Sequence, residues 1–470
     1  MLHRSIFRLA LMLSALGVSS CGIPARSAAV PQPASSQAHR ETAQVTSGQP
    51  SGPVDVAPSP AVAGEDHLYI RQGAGSVEDR LMVLDSADGT TERELPVGLP
   101  APDWSVLYTV ESMNGKTVVR AIDAASGRSL REMTLDGEYT LLATTLDGTL
   151  GGLSPNGRWL ALAAVPALSE PLAYAQRPRP QSRFAVLDTA LTQPARTLVL
   201  DGNFSFDALS NSGQALYLIE HLPPEWPDQY QVRRYDLQAA ALDTRIIADK
   251  RRAPQLMEGT RHATIASRDG AWLYSVYLNP HHGPFIHALN LNDAFAFCIF
   301  LPPQSKDNWE KQRFWAIMMS EDGALYAVNG ALGIVAEVDL SQVSIHRSTT
   351  LPTSLATNPS GHRTHPAAHN PQAAEMAMGG AALSSDGETL WAAGATGLLA
   401  INTADFSLRG QYLEDWTFDS LAMSEDGDRL YAVDMERNTL VQIDAGSGTI
   451  TGELPGAYGA AHLLWIETQR

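Results

Sequence analysis

The run Ser424-Glu425-Asp426-Gly427-Asp428-Arg429-Leu430-Tyr431, with its sequel Asp444-Ala445-Gly446-Ser447-Gly448 and Ile450 to Leu454, decides the fold. Ser-x-Asp-Gly is a tight turn: glycine supplies a positive φ, and the Asp side chain bonds its own backbone. Arg429-Leu430-Tyr431 then opens a strand-like block, and a second alternating run closes on Asp444. The Asp-to-Gly448 stretch is a further turn into a third strand, so the last two strands form a hairpin.

The same order of parts recurs along the chain. Strand-like blocks contain Leu68-Tyr69-Ile70, Val106-Leu107-Tyr108, Trp159-Leu160-Ala161, Ala215-Leu216-Tyr217, Trp272-Leu273-Tyr274, Ala324-Leu325-Tyr326, Thr389-Leu390-Trp391 and Arg429-Leu430-Tyr431. The runs that follow end at Asp85, Asp123, Asp188, Asp236, Asn290, Asp339, Asn402 and Asp444. The turn ahead of the block recurs at Gly157, Gly213, Gly270, Gly323, Gly387 and Gly427, with Pro102-Asp103-Trp104 as a degenerate copy. Another strand precedes most turns, such as Phe204 to Leu209 or Phe314 to Met318, which makes four strands per unit. Successive turn glycines lie 56, 57, 53, 64 and 40 residues apart.

Four-stranded units of about forty residues are propeller blades, and the surplus length is loop insertion. The expected fold is all-β, a single β-propeller of antiparallel blades. Unit one lacks a leading strand, while Ala460 to Ile466 is a carboxy-terminal strand with nothing after it; together they complete blade one and close the ring. Strand counting favours eight blades. Seven is the alternative, because the leading strand of unit two, between Val97 and Asp103, is short.

These repeats resemble the bacterial YVTN-type and WD-repeat-like propellers over about residues 67 to 466. That resemblance implies architecture and leaves function open.

The amino-terminal end sets the expected compartment. Arg4 and Arg8 precede an apolar run, Leu9 to Val18, too short for a permanent membrane span. Val18-Ser19-Ser20-Cys21 resembles a bacterial lipobox, which implies a signal peptide over 1–20, cleavage before Cys21 and lipidation of its sulfur. Two or three acyl chains, at about 0.8 kcal/mol per buried methylene, anchor firmly. The alternative is an ordinary signal peptide cut near Ala25 to Ala29. Residues 21–65, rich in Ala, Pro, Ser and Gln, read as a disordered tether spanning on the order of 35 Å. The propeller occupies 66–470, extracytoplasmic and held by lipid to the outer face of the cytoplasmic membrane or to the outer membrane.

Removing Arg4 and Arg8 from the 33 basic residues leaves 31 against 51 acidic ones, a net of −20. Such a chain repels nucleic acid and anionic lipid. Cys298, within Phe295 to Phe300, reads as a small hydrophobe without a cationic neighbour to activate it.

In each blade the tight Gly turns fall at one end, and the second-to-third loops and blade-to-blade connections at the other. The long insertions, Val165 to Gln181, His221 to Tyr230, Asn279 to Pro284, Pro302 to Gln312 and Pro352 to Met378, all belong to the second end. One face is plain and the other elaborated, and recognition favours the elaborated one. Trp226, Tyr230 and Trp309 are candidate contacts there for peptide or carbohydrate, alongside His281 and His282. His362, His365 and His369 have imidazoles able to bind zinc or copper, although Pro366 argues for a mobile polar loop instead.

No haem-attachment, zinc-protease, nucleophile-elbow or phosphate-loop motif is present, and Arg131 stands where a quinone-binding propeller repeat would carry tryptophan. No cofactor is expected. The reading is a monomeric, membrane-tethered binding scaffold for an envelope protein, peptide or glycan. The alternative is a channel-centred lactonase- or hydrolase-like enzyme, with a divalent cation in some such propellers.

Overall fold

The computed structural model describes residues 66–73, 79–145, 148–164, 179–222, 229–251, 256–302, 309–352, 378–395, 397–434, 436–456 and 461–468. They form eight four-stranded antiparallel sheets, the blades of a propeller. From the inside outward, blade 4 runs Asn203–Leu209, Ala215–Leu222, Gln229–Asp236 and Ala241–Ile247. Blades 5 to 8 repeat this order, from Thr260–Ala266 to Phe295–Phe300, Trp315–Met319 to Ser344–Thr350, Gly380–Leu383 to Leu408–Tyr412, and Ser420–Met423 to Ile450–Pro455. Their first strands lie side by side and make the inner ring.

The eight-blade count holds because the short leading strand of blade 2 does form, as Gly98–Pro100 paired with Leu107 to Thr109. In blade 3 the inner strand shrinks to Tyr139–Thr140. A small hairpin, Leu142–Ala143 against Leu150–Gly151, follows it, and Arg71 of blade 1 donates to the Gly148 carbonyl at 2.7 Å.

All eight Asx residues end the third strand of their blade. Each side chain accepts a backbone N–H from the turn beyond, as Asp85 does from Ala87 at 2.7 Å and Asp444 from Ser447 at 2.7 Å. Six of the turns before the second strand use a glycine at positive φ, whereas blade 2 uses Trp104 at φ 56°. A tryptophan there costs roughly 1–2 kcal/mol of backbone strain. Its indole stacks on Trp465 at 5.1 Å and lies 5.4 Å from Tyr69, contacts that glycine could not make.

The core consists of the seams between blades. Along the inner ring, hydrogen bonds supplement the apolar packing. Arg261 of blade 5 donates to the Phe206 and Asp207 carbonyls of blade 4 and pairs with the Asp207 carboxylate at 3.1 Å. His262 meets the Trp315 carbonyl of blade 6 at 2.8 Å. Asp419, at the start of blade 8, accepts the Met378 N–H, and Ser420 Oγ accepts the Leu463 N–H of blade 1. Backbone groups on an unpaired inner edge are thereby satisfied.

Ring closure uses both ends of the described chain. Ala461–Thr468 pairs with Asp66–Gln72 and supplies the inner strand of blade 1, ahead of Arg80–Asp85 and Thr91–Leu95. Asp66 is fully buried; its carboxylate accepts Arg429 Nε at 2.8 Å, Arg429 Nη2 at 3.1 Å and Tyr431 Oη at 2.7 Å, all from blade 8. Replacing Asp66 by Ala leaves a buried guanidinium with Asp426 as its remaining carboxylate. The expected loss is about 3 kcal/mol, read from the urea midpoint of unfolding.

Candidate functional site

The elaborated face carries a cleft of about 150 Å³ at the upper edge of blade 5. Two segments build it. The connection from blade 4 runs, at Ala248 to Arg251, along the outer strand of blade 5, where Asp249 bridges Ala296 in parallel and Lys250 N–H donates to the Ala296 carbonyl. It then returns to blade 4, where Met257 and Tyr230 exchange backbone hydrogen bonds. The second-to-third loop of blade 5 supplies Asn279 and His282.

Phe285, Phe300, Met257 and Cys298 make an apolar floor, and Asp249, Glu258, Asn279 and His282 a polar rim. Asn279 shapes its loop by accepting the N–H groups of His281 and His282 at 2.8 and 3.0 Å. Burial opposes ionisation of Asp249, but hydrogen bonds from Arg251 and from the Cys298 N–H outweigh it and hold the carboxyl below its ordinary range.

Behind the floor, Tyr230 and Tyr277 pack with Phe285. Burial raises both phenols, Tyr230 well above its ordinary value, so both are neutral. His287 Nδ1 lies 3.9 Å from the Cys298 thiol. Desolvation pushes this imidazole down, partly offset by the Asp207 charge, so it too is neutral near pH 7. Arg251 donates to the Cys298 main-chain carbonyl at 2.9 Å. That charge is neutralised by Asp249 at 3.1 Å. The arrangement offers shape, hydrogen bonds and two rim carboxylates, Asp249 and Glu258, which suits recognition.

Of the residues singled out from sequence, His282 lines this cleft and His281 is its exposed neighbour. Tyr230 is buried behind the floor at the start of blade 4's third strand. Trp309 opens a short 3-10 helix, Trp309–Phe314, before blade 6. Cys21, Trp226, His362, His365 and His369 lie outside the described residues. Among the described residues no group of three or more metal-ligating side chains comes together. Sequence reading missed Asp249 and Glu258; the usable signal was the length of the connection from Ile247 to Thr260 compared with that from Leu95 to Gly98.

Eight closed four-stranded blades define the chain as a β-propeller protein. It matches no family model and no curated protein sequence. Among solved structures it is similar to AztD of Citrobacter koseri, at 12% identity, covering 84% of this chain and 95% of that one, with a TM-score of 0.47. It is also similar to the dihydro-heme d1 dehydrogenase NirN, at 12%, 88%, 78% and 0.47, and to the periplasmic gluconolactonase PpgL of Pseudomonas aeruginosa, at 14%, 86%, 99% and 0.42. Likeness at this level concerns the fold alone.

One neighbour of the site makes the ring acid-sensitive. His221 is buried against Ser205 Oγ at 2.8 Å, and burial together with the Arg179 charge pushes its pKa down to about 4. The unfolded chain takes up that proton near pH 6.5 and the folded chain does not until about 4, so stability falls as pH drops through this window. The expected loss is about 3 kcal/mol between pH 7 and 4 from His221 alone. Urea unfolding at both pH values should show a shallower dependence for His221→Gln.

Proposed function

We propose that the chain is an exported lipoprotein, anchored through Cys21, whose propeller is a binding scaffold for an envelope protein or peptide on its looped face. The blade 5 cleft carries this reading. Its volume of about 150 Å³ takes one apolar side chain, and its aromatic floor beneath a polar rim matches the pattern of an interface anchor pocket. The rim carboxylates favour a basic or hydroxyl group beside that anchor.

A channel-centred hydrolase fits less well. The acidic and imidazole groups at the head of the inner strands already serve contacts between blades: Asp419 accepts the Met378 N–H and faces His462 at 3.4 Å, and Asp207 pairs with Arg261.

The test uses the full-length chain as bait in solubilised envelopes beside Phe300→Ser and Glu258→Lys variants, each checked for an unchanged unfolding midpoint. A partner held by the parent chain should be retained at least tenfold less by both variants, about 1.4 kcal/mol or more. Equal retention by all three sinks the cleft reading. Separately, Cys21→Ser should move the protein from the membrane to the soluble fraction; continued sedimentation with membranes would remove the lipid anchor from the proposal.

A further inference from the structure

The opposite, tight-turn face is less plain than its sequence promises. Between blades 2 and 3 it holds a cleft of about 320 Å³, lined by Tyr108 and Arg131 of blade 2 and by Arg158, Trp159, Thr189 and Gln193 of blade 3. We propose that this cleft binds a small oxyanion, a carboxylate or phosphate, between the Arg131 and Arg158 guanidiniums. The inference is independent of the looped-face reading.

The argument comes from the internal repeat. In blades 1, 2, 3 and 6 the outer strand places an arginine opposite the residue two before the turn Asx: Arg93 opposite Val83, Arg131 opposite Ala121, Arg196 opposite Val186 and Arg347 opposite Glu337. Arg93 interacts with Tyr69 of its own blade. Arg196 donates to the Gly213 carbonyl of blade 4 at 3.4 Å. Arg347 donates to the Thr403 carbonyl of blade 7 at 2.6 Å and to that of Ala404, and pairs with Glu337 at 2.7 Å. In blades 3 and 6, then, the guanidinium at this register is directed to main-chain oxygen atoms of the next blade.

Blade 3 offers Arg131 the same turn that blade 7 offers Arg347. Asp188-Thr189-Ala190 corresponds to Asn402-Thr403-Ala404, and in both the threonine hydroxyl donates 2.8 Å to the carbonyl of the preceding turn's glycine, Gly157 or Gly387. Yet Arg131 makes no such contact: the cleft separates it from that turn, and Ala121 stands where blade 6 has Glu337. Arg158 faces the same space from blade 3. Among the described residues neither guanidinium has a carboxylate partner, whereas Asp188 on the wall already accepts Thr192 Oγ1 at 2.7 Å and the Gln193 N–H at 3.1 Å.

Two unneutralised guanidiniums in one recess select a negatively charged oxygen group over a neutral carbonyl, by charge-assisted and often bidentate hydrogen bonds. The net charge of −18 repels a polyanion at longer range, which limits the ligand to a small molecule with one or two charges. The volume lies in the range of small-molecule sites, and Thr189 and Gln193 add polar groups for a hydroxylated body.

The test is calorimetric titration of the full-length chain at low ionic strength with inorganic phosphate, with glucuronate as the carboxylate and with glucose as the neutral control. Saturable binding of at least one anion and none of glucose is expected, and the tighter anion identifies the ligand type. Arg131→Gln and Arg158→Gln should each weaken binding at least tenfold, and added salt should weaken it further. Both side chains are exposed and, among the described residues, without ion pairs, so both variants should keep the parent unfolding midpoint. Arg347→Gln, at the same register but in blade 6 and away from the cleft, should leave anion binding unchanged. No saturable binding up to roughly 10 mM, equal binding of glucose, or undiminished binding by the Arg131→Gln/Arg158→Gln double variant would overturn the proposal.

Discussion

Everything in the ring depends on one strand pairing, that of Ala461–Thr468 with Asp66–Gln72. Seven blades can be completed by consecutive chain, but the first has only three strands of its own. Without the carboxy-terminal strand, the edge of Asp66–Gln72 would be open to any other strand. The pairing brings together residues about four hundred positions apart, so the entropy of closing that loop must be met by local contacts. Asp66 with Arg429 and Tyr431, and Tyr69 with Trp104 and Trp465, supply them at the seams on either side of blade 1. Trp104 tolerates a left-handed backbone where its counterparts are glycines because the stacking it makes belongs to that closure.

The inner ring extends the same logic. Radial sheets leave their innermost backbone edges without a further strand, and neighbouring blades satisfy those edges with side chains. Arg261, His262, Asp419 and Ser420 each tie one blade to the next. The polar inner residues that would otherwise suggest chemistry in a central channel are largely accounted for as structure, which directs attention to the two faces.

The fold was legible in the sequence to an unusual degree because its signals are local. The Asx that ends each third strand caps the turn within five residues of itself, so Asp85 or Asn402 could be placed without knowing anything distant. The site was legible only in outline. His282 sits on a loop whose length was visible, but Asp249 meets Cys298 only because a connection folds back along a neighbouring blade, and nothing local to either residue encodes that path. Arg131 shows the same limit. As a lone arginine it meant only that a tryptophan was missing; its interest emerges when eight registers are laid side by side and the contact made by Arg347 is found missing at Arg131.

The closing pair also fixes how the ring bears load. Asp66 and Thr468 face each other at the tight-turn end of blade 1, so a pull on residue 66 along the axis of the ring acts along its own strand. Antiparallel hydrogen bonds run perpendicular to the strands, and the ladders to Ala461–Thr468 and Arg80–Asp85 would therefore be stressed together, in shear, instead of opening one bond at a time. A chain drawn from that end meets the mechanically strongest geometry a sheet can offer.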